Sequence, residues 1–265
     1  MKTSIYYFTG TGNSLKIAID LAERLEDSKL IPIAKVYERK NIRPESQKVG
    51  FIFPLYYSGL PKIVYDFISD LNLSNSNYFF TVVTSTGDIN EFPLKQLDKI
   101  LRTKSKRLNA GFFINMPNNY IIGYDITSTE RQNEFFKKAI KNVELISEIV
   151  KNRDDNLTPD INNKDLSRSE RINKEFREEV NNMDRSFYAN DACNGCGICE
   201  KICPVNNIIL IENSPQWQHQ CQLCLACINY CPEKSIQFGK KTIDTQRYHH
   251  PDITIEDIRS QKNTL

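Results

Sequence analysis

The first 192 residues contain no cysteine, and the whole chain of 265 residues has only one tryptophan and three histidines. No apolar run approaches the roughly 20 residues that span a bilayer, so no membrane insertion is expected. The formal net charge is only +2, which excludes the strong basic field of a nucleic-acid-binding surface. The apolar start of the chain is too short for a secretory signal. We therefore expect a cytoplasmic protein.

Two nucleotide-binding fingerprints are also missing. Gly10 and Gly12 could begin the pattern G-x-G-x-x-G, but Leu15 stands where the third glycine is needed. The phosphate-binding pattern G-x4-G-K-[ST] does not occur in the chain. The sequence therefore gives no support for direct use of NAD(P)H.

Alternating strand and helix patterns fill the first half of the chain. Hydrophobic residues make up 40% of the sequence and charged residues 26%, which is ordinary for a globular protein with a core. Short apolar runs predict five strands, at Ser4–Phe8, Leu30–Ile33, Val49–Phe53, Tyr78–Thr84 and Ala110–Ile114. Helical periodicity predicts four helices, at Ser14–Leu25, Pro61–Leu71, Pro93–Leu101 and Ser128–Lys151.

This alternation predicts an α/β fold with a doubly wound, five-stranded parallel sheet over residues 1–151. Ligands of such folds bind at the carboxyl ends of the strands. The loops after Phe8, Phe53, Thr84 and Ile114 are therefore the expected site of chemistry.

The remainder of the chain divides into three parts. Residues 152–187 are interpreted as a polar linker, in which Leu166–Met183 is a charged helix that acts as a semi-rigid spacer. Residues 188–240 form a small cysteine-rich α+β domain, and 241–265 form a polar tail with a short helix near Ile255–Ser260.

All eight cysteines fall in two copies of the pattern C-x2-C-x2-C-x3-C-P. The copies are Cys193, Cys196, Cys199, Cys203 with Pro204, and Cys221, Cys224, Cys227, Cys231 with Pro232. Zinc sites use two C-x2-C pairs instead, and disulfides need an oxidising compartment. This spacing resembles that of bacterial two-cluster ferredoxins, so two 4Fe–4S clusters are expected.

In that arrangement the fourth cysteine of each copy ligates the other cluster. The first cluster is expected on Cys193, Cys196, Cys199 and Cys231. The second is expected on Cys203, Cys221, Cys224 and Cys227. His219 precedes the second copy closely, but eight ligands are already supplied, so we interpret it as a surface or neighbouring residue.

The loop between the first strand and helix is rich in hydroxyl groups. Its residues are Thr9, Gly10, Thr11, Gly12, Asn13 and Ser14. Main-chain amides at a helix N-terminus, together with these hydroxyls, can bind a phosphate without a basic side chain. The pattern is similar to the flavodoxin phosphate loop T-x-T-G-N-[TS], and the resemblance implies the 5′-phosphate of FMN. The alternative is an ordinary strand-to-helix turn.

Two further loops correspond to those that flank the isoalloxazine ring in flavodoxins. One contains Pro54, Leu55, Tyr56, Tyr57, Ser58 and Gly59, and the other contains Thr84, Ser85, Thr86, Gly87 and Asp88. The resemblance implies that Tyr56 or Tyr57 stacks on the ring and that amides near Gly59 reach its N5 atom; packing is the alternative for each tyrosine. The loop from Met116 to Tyr120 is expected to close one side.

Together the two halves resemble the flavodoxin–ferredoxin fusion family of anaerobes, over nearly the whole chain. The resemblance implies an electron carrier with FMN, two 4Fe–4S clusters and redox partner proteins of unknown identity. Two other functions stay open: reduction of a small acceptor at the flavin, or a flavodoxin-like domain that only docks partners. The cysteine-rich domain is expected to pack near the flavin, against the loops after the third, fourth and fifth strands, with Tyr188, Trp217 or Tyr230 at the interface. The sequence leaves the oligomeric state open.

Overall fold

Five parallel strands form the centre of the molecule. The computed structural model describes residues 2–87, 90–157 and 166–262. The strands are β1 (Thr3–Tyr7), β2 (Ser28–Pro32), β3 (Lys48–Pro54), β4 (Tyr78–Ser85) and β5 (Ala110–Asn115). Their order in the sheet is β2-β1-β3-β4-β5, and every neighbouring pair is parallel. This is the flavodoxin-like doubly wound order, so the predicted fold class is confirmed.

Five helices connect or follow these strands. They are α1 (Asn13–Arg24), α2 (Ile33–Val36), α3 (Lys62–Asp70), α4 (Phe92–Arg102) and α5 (Thr129–Asn152). All but α2 lie within about a residue of the predicted boundaries. The sequence assigned Ile33 to a strand, whereas Pro32 ends β2 and Ile33 begins the short helix α2. Four residues are too few for a helical period to be visible in the sequence.

The cysteine-rich region forms a second, smaller layer of structure. Its strands are β6 (Phe187–Ala189), β7 (Ile208–Ile211), β8 (Ser214–Trp217) and β9 (Ile236–Phe238). Strand β6 pairs with β9 and β7 with β8, both antiparallel. Two short helices, α7 (Ile198–Ile202) and α8 (Ala226–Asn229), begin within the two cysteine motifs. We call residues 188–240 the C-terminal module.

The predicted linker helix is α6 (Leu166–Glu179), which continues as a 3-10 helix (Val180–Ser186). It is more than the semi-rigid spacer that was expected, because its Asn173 and Phe176 are buried in a packed element. Asn173 Nδ2 donates to the carbonyls of Tyr56 and Leu60, at 3.0 and 3.1 Å, and its Oδ1 accepts from Gln96 Nε2 at 2.7 Å. The helix thus fixes the loop between β3 and α3. The predicted linker residues 158–165 lie outside the described residues.

The C-terminal tail folds back onto the sheet. Its helix α9 (Ile255–Ser260) begins with a capping box between Thr254 and Asp257. Ile253 and Ile258 belong to the same buried cluster as the strands of the sheet. None of the helices in the described ranges has the length and apolar character needed to cross a membrane.

We expect Asn173→Ala to lower the free energy of unfolding by about 2 kcal/mol or more, because it leaves buried polar partners unsatisfied. Urea denaturation of the purified protein measures this change. Lys174→Ala, at an exposed position of the same helix, is the matched control and should stay within about 0.5 kcal/mol of the parent. Equal stability of the two variants would show that α6 is only loosely attached.

Candidate functional site

A cavity of about 660 Å³ lies at the carboxyl ends of the strands, where the fold predicts a ligand. We call it the sheet-edge cavity. It is lined by thirteen of the predicted FMN-site residues: Thr9, Gly10, Asn13, Ser14, Pro54, Leu55, Tyr56, Tyr57, Thr84, Ser85, Thr86, Gly87 and Tyr120. The structure therefore brings all four predicted loops together around one space.

Four other predicted residues do not line this cavity: Thr11, Gly12, Ser58 and Gly59. Gly59 forms a tight turn with Tyr56, whose carbonyl accepts its amide at 2.9 Å. The Gly59 amide itself is therefore already engaged within the turn. Asp88, the last predicted residue of this site, lies outside the described residues.

The first loop presents the N-terminus of α1 to the cavity. Gly12, which precedes the helix, has a left-handed backbone with φ of 100°, and no side chain caps the helix there. The first amides of a helix lack intrahelical acceptors and carry the positive end of its dipole. Ser14 Oγ is held 2.8 Å from Thr84 Oγ1, so hydroxyls of two loops meet at this end of the helix. The arrangement suits a phosphate.

Gly10 is fixed by a neighbour that the sequence motif does not reveal. A Cβ atom at residue 10 would lie only 2.0 Å from the main-chain oxygen of Cys224. Only glycine permits the backbone of the C-terminal module to approach this closely. The phosphate loop and the second cysteine motif are therefore in direct contact.

The C-terminal tail covers the outer side of the same loop. The amide of His250 donates to the carbonyl of Thr11 at 2.8 Å, and Tyr248 Oη donates to Asn13 Oδ1 at 2.7 Å. The side chain of Thr11 is also engaged, because its hydroxyl accepts from Asn119 Nδ2 at 2.7 Å. Burial lowers the pKa of His250 to about 4, so its ring is neutral near neutral pH. The tail thus covers the phosphate loop, and the neutral ring of His250 adds no positive charge to it.

Aromatic side chains form one wall of the sheet-edge cavity. Tyr57 stacks on Phe176 with ring centres 4.3 Å apart, and its hydroxyl lies 2.9 Å from that of Tyr120. Tyr56 packs edge-on between Phe8 and Phe176. Burial, and then the thiolates of Cys224 and Cys221, raise the pKa of Tyr56 well above its usual value. Tyr56 is thus held by aromatic packing at the cavity wall, whereas Tyr57 is the more exposed of the pair.

The sequence analysis missed several residues of this cavity. They are Tyr124, Asp125 and Thr127 after β5, Phe176 of α6, and Leu223, Cys224 and Leu225 of the C-terminal module. Phe176 lies more than a hundred residues from Tyr57 along the chain. Contacts at such separations leave no local pattern in one sequence.

The eight cysteines gather in two groups around two smaller cavities. The first cysteine cavity is lined by Cys193, Cys196, Cys199 and Cys231, and the second by Cys203, Cys221, Cys224 and Cys227. All eight thiols are free. Each motif therefore gives its fourth cysteine to the other group.

Each cysteine group supplies the four thiols that one 4Fe–4S cluster needs. Within the described ranges, no three or more His, Cys, Asp or Glu side chains could hold one metal ion together. The second group also receives main-chain hydrogen bonds, from Asn207 to Cys203 Sγ and from Leu223 to Cys221 Sγ, both 3.2 Å.

Solvent exposure differs between the two cysteine groups. Cys203 and Cys224 of the second group are buried, whereas Cys196 of the first group is exposed. Burial raises the pKa of Cys199 and of Cys224 to about 12. Buried thiols of this kind need positive charge nearby to exist as thiolates, and iron supplies it.

The C-terminal module is docked on the sheet by hydrogen bonds. The amide of Ile63 donates to Gln222 Oε1 at 3.0 Å, and Asn229 Nδ2 donates to the carbonyl of Asn119 at 3.4 Å. The module thus packs near the sheet-edge cavity, at the loops after β1, β3 and β5. The loop after β1 was not among those expected to contact it.

The three aromatic residues expected at this interface differ in their surroundings, and Tyr230 is buried in the same hydrophobic cluster as the strands of the sheet. Trp217 lines the second cysteine cavity, Tyr230 stacks on His249 of the tail, and Tyr188 is exposed on β6. His219 lines neither cysteine cavity. Its Nδ1 lies 2.7 Å from Asp184 Oδ1, so its imidazole is engaged by the 3-10 helix that follows α6.

Comparison with protein families finds two matches. Residues 4–118 match the flavodoxin domain, and residues 188–209 match the 4Fe–4S binding domain. An uncharacterized polyferredoxin-like protein of Methanocaldococcus jannaschii is 37% identical over 61 residues, which are 23% of this chain. The chain spans only 27% of that protein's length.

Two solved structures are similar to the sheet domain. A flavodoxin of Streptococcus pneumonia TIGR4 is 17% identical, with a TM-score of 0.40, over 58% of this chain and 99% of its own. An FMN-dependent NADH-azoreductase of Bacillus anthracis is 9% identical, with a TM-score of 0.38, over 56% of this chain and 100% of its own.

The phosphate loop can be tested at Ser14. We expect Ser14→Asp to weaken FMN binding by about tenfold or more, because its carboxylate repels the phosphate. The helix should be unaffected, since a carboxylate is favourable in a first helical turn. Fluorescence titration of the FMN-depleted protein measures the affinity.

Ser14→Asn is the matched control, because it has nearly the same shape as aspartate without the charge. It should bind FMN more tightly than Ser14→Asp. Equal affinities in the two variants would contradict a phosphate at this end of α1.

Proposed function

We propose a specific electron route for this chain. The chain joins a flavodoxin domain to a 4Fe–4S binding domain, and its cofactors are FMN and two 4Fe–4S clusters. Electrons pass between FMN and the clusters within one molecule, and the second cysteine group is the one next to FMN. One observation carries this proposal: Cys224 and Leu225 line both the sheet-edge cavity and the second cysteine cavity. We call these two residues the shared wall.

The residues around the sheet-edge cavity fit FMN in a defined orientation. Thr9 and Ser14, with the first amides of α1, bind the phosphate end. The loops after β3 and β4 hold the ring, and Tyr57 offers an aromatic face that is already oriented by Phe176. The predicted role of Tyr56 as the stacking residue is less favoured, since its ring is packed between Phe8 and Phe176.

The cysteines are proposed to ligate in the crossed manner. Cys193, Cys196, Cys199 and Cys231 hold the first cluster, and Cys203, Cys221, Cys224 and Cys227 hold the second. The two groups are neighbours. Burial raises the pKa of Cys227, and thiolates raise it further, among them Cys199 of the first group.

FMN exchanges one or two electrons and each cluster exchanges one, so together they supply conversion between one- and two-electron chemistry. The protein contributes position and exclusion of water. Leu225 is buried and the main chain of Cys224 lies against Gly10, which removes solvent from the shared wall. Cys196 is the exposed member of the first group, so external redox partners are proposed to exchange electrons at that end.

The intramolecular route predicts first-order kinetics. When the clusters are reduced first in a rapid-mixing experiment, we expect FMN reduction at a rate that does not change with protein concentration. The proposal fails if the rate scales with concentration in a protein that light scattering shows to be monomeric.

Crossed ligation predicts which cysteine variants alter the same paramagnetic resonance signal. We expect Cys203→Ala to alter the same paramagnetic resonance signal as Cys221→Ala, because both residues belong to the second group. Cys193→Ala, which belongs to the first group, should alter the other signal. The crossed assignment is wrong if Cys203→Ala resembles Cys193→Ala instead.

A further inference from the structure

The indole N–H of Trp217 is buried and has no hydrogen-bond partner in the described residues. Trp217 ends β8, where it pairs with Ile208 of β7. Its ring is held nearly parallel to that of Phe187, with centres 5.7 Å apart. A buried N–H without an acceptor costs free energy comparable to a lost hydrogen bond. A buried donor in a fixed position therefore requires a hydrogen-bond acceptor.

The ring of Trp217 lines the second cysteine cavity. Two side-chain carbonyls in the same wall are already occupied, because Asn207 Oδ1 accepts from the amide of Gln220 and Gln222 Oε1 accepts from that of Ile63. Much of the remaining wall is apolar, including Phe187 and Val205. No acceptor in the described residues lies within hydrogen-bond distance of Trp217 Nε1, so a group bound in this cavity is the acceptor that remains.

We propose that Trp217 Nε1 donates a hydrogen bond to a sulfur of the 4Fe–4S cluster held by the second cysteine group, and thereby raises the reduction potential of that cluster. The proposal rests on the ligand set given above. Hydrogen bonds to the sulfurs are among the factors that set the potential of such clusters. The donor favours the reduced form, because reduction adds negative charge to the cluster.

The position of Trp217 makes the effect selective. It lines the cavity of the second cysteine group and not that of the first. Trp217 therefore raises the reduction potential of the second cluster, which is the one that the shared wall separates from FMN. Trp217 is proposed to act on the potential of the cluster and to take no part in binding FMN.

The substitution Trp217→Phe tests the proposal in the full-length protein with its cofactors, because it keeps an aromatic ring and removes the N–H. In an anaerobic redox titration followed by paramagnetic resonance, we expect the midpoint of the second cluster to shift to more negative potential. The midpoint of the first cluster should not change. Phe187→Leu is the matched control, since it disturbs the same wall without removing a donor.

A second measurement needs no variant. Trp217 is the single tryptophan of the chain, so ¹⁵N-indole labelling marks one nitrogen. Pulsed paramagnetic resonance of the parent protein, poised so that the second cluster is reduced, should detect coupling to this nitrogen. This measurement decides the matter even if Trp217→Phe fails to assemble.

Two results would overturn the proposal: absence of ¹⁵N coupling, or an equal shift in Phe187→Leu and Trp217→Phe. Either result is possible in a protein in which iron analysis finds both clusters, so it would contradict the role of Trp217 and leave the ligand assignment intact. Failure of the ligand assignment is distinguishable, because iron and sulfide analysis would then find no cluster at the second group in the parent protein.

Discussion

The main-chain oxygen of Cys224 occupies the space where a side chain at residue 10 would begin. This contact joins a loop of the flavodoxin fold to a cysteine motif more than two hundred residues away in the sequence. Because the loop follows β1 directly, the contact sets the C-terminal module against the carboxyl end of the sheet. The shared wall of Cys224 and Leu225 follows from it, and so does the short separation between the sheet-edge cavity and the second cysteine cavity.

Buried polar side chains stabilise this docked arrangement. Asn229 donates to the carbonyl of Leu225 and accepts from the amide of Tyr248, whose hydroxyl donates to Asn13 in the phosphate loop. Asn173 connects α6 to the loop between β3 and α3 in the same way. A buried amide is tolerated only where its hydrogen bonds are satisfied. These residues therefore favour one relative position of sheet, linker helix, C-terminal module and tail over others that would bury a similar apolar area.

Burial also distinguishes the two ends of the cofactor chain. The second cysteine group is packed between the sheet domain and the β7–β8 hairpin, and it includes two buried cysteines. The first group reaches solvent at Cys196. A low-dielectric interior strengthens the effect of each nearby hydrogen bond and charge. Small features of the protein, such as one indole N–H, are thus expected to matter more at the second group than at the first.

The sequence alone determined the features that arise from local or repeated patterns. Apolar periodicity predicted all five strands and the four longer helices of the sheet domain, and strand–helix alternation placed the ligand loops at one edge. Cysteine spacing predicted two groups of four thiols because the pattern itself encodes how a cluster is wrapped. Only the tertiary structure decided that the Tyr56 ring packs between Phe8 and Phe176, that the Gly59 amide is engaged, and that Phe176 and Leu223 join the lining of the cavity. These outcomes depend on which distant surfaces fit together, and a single sequence carries no periodic or spacing signal for that fit.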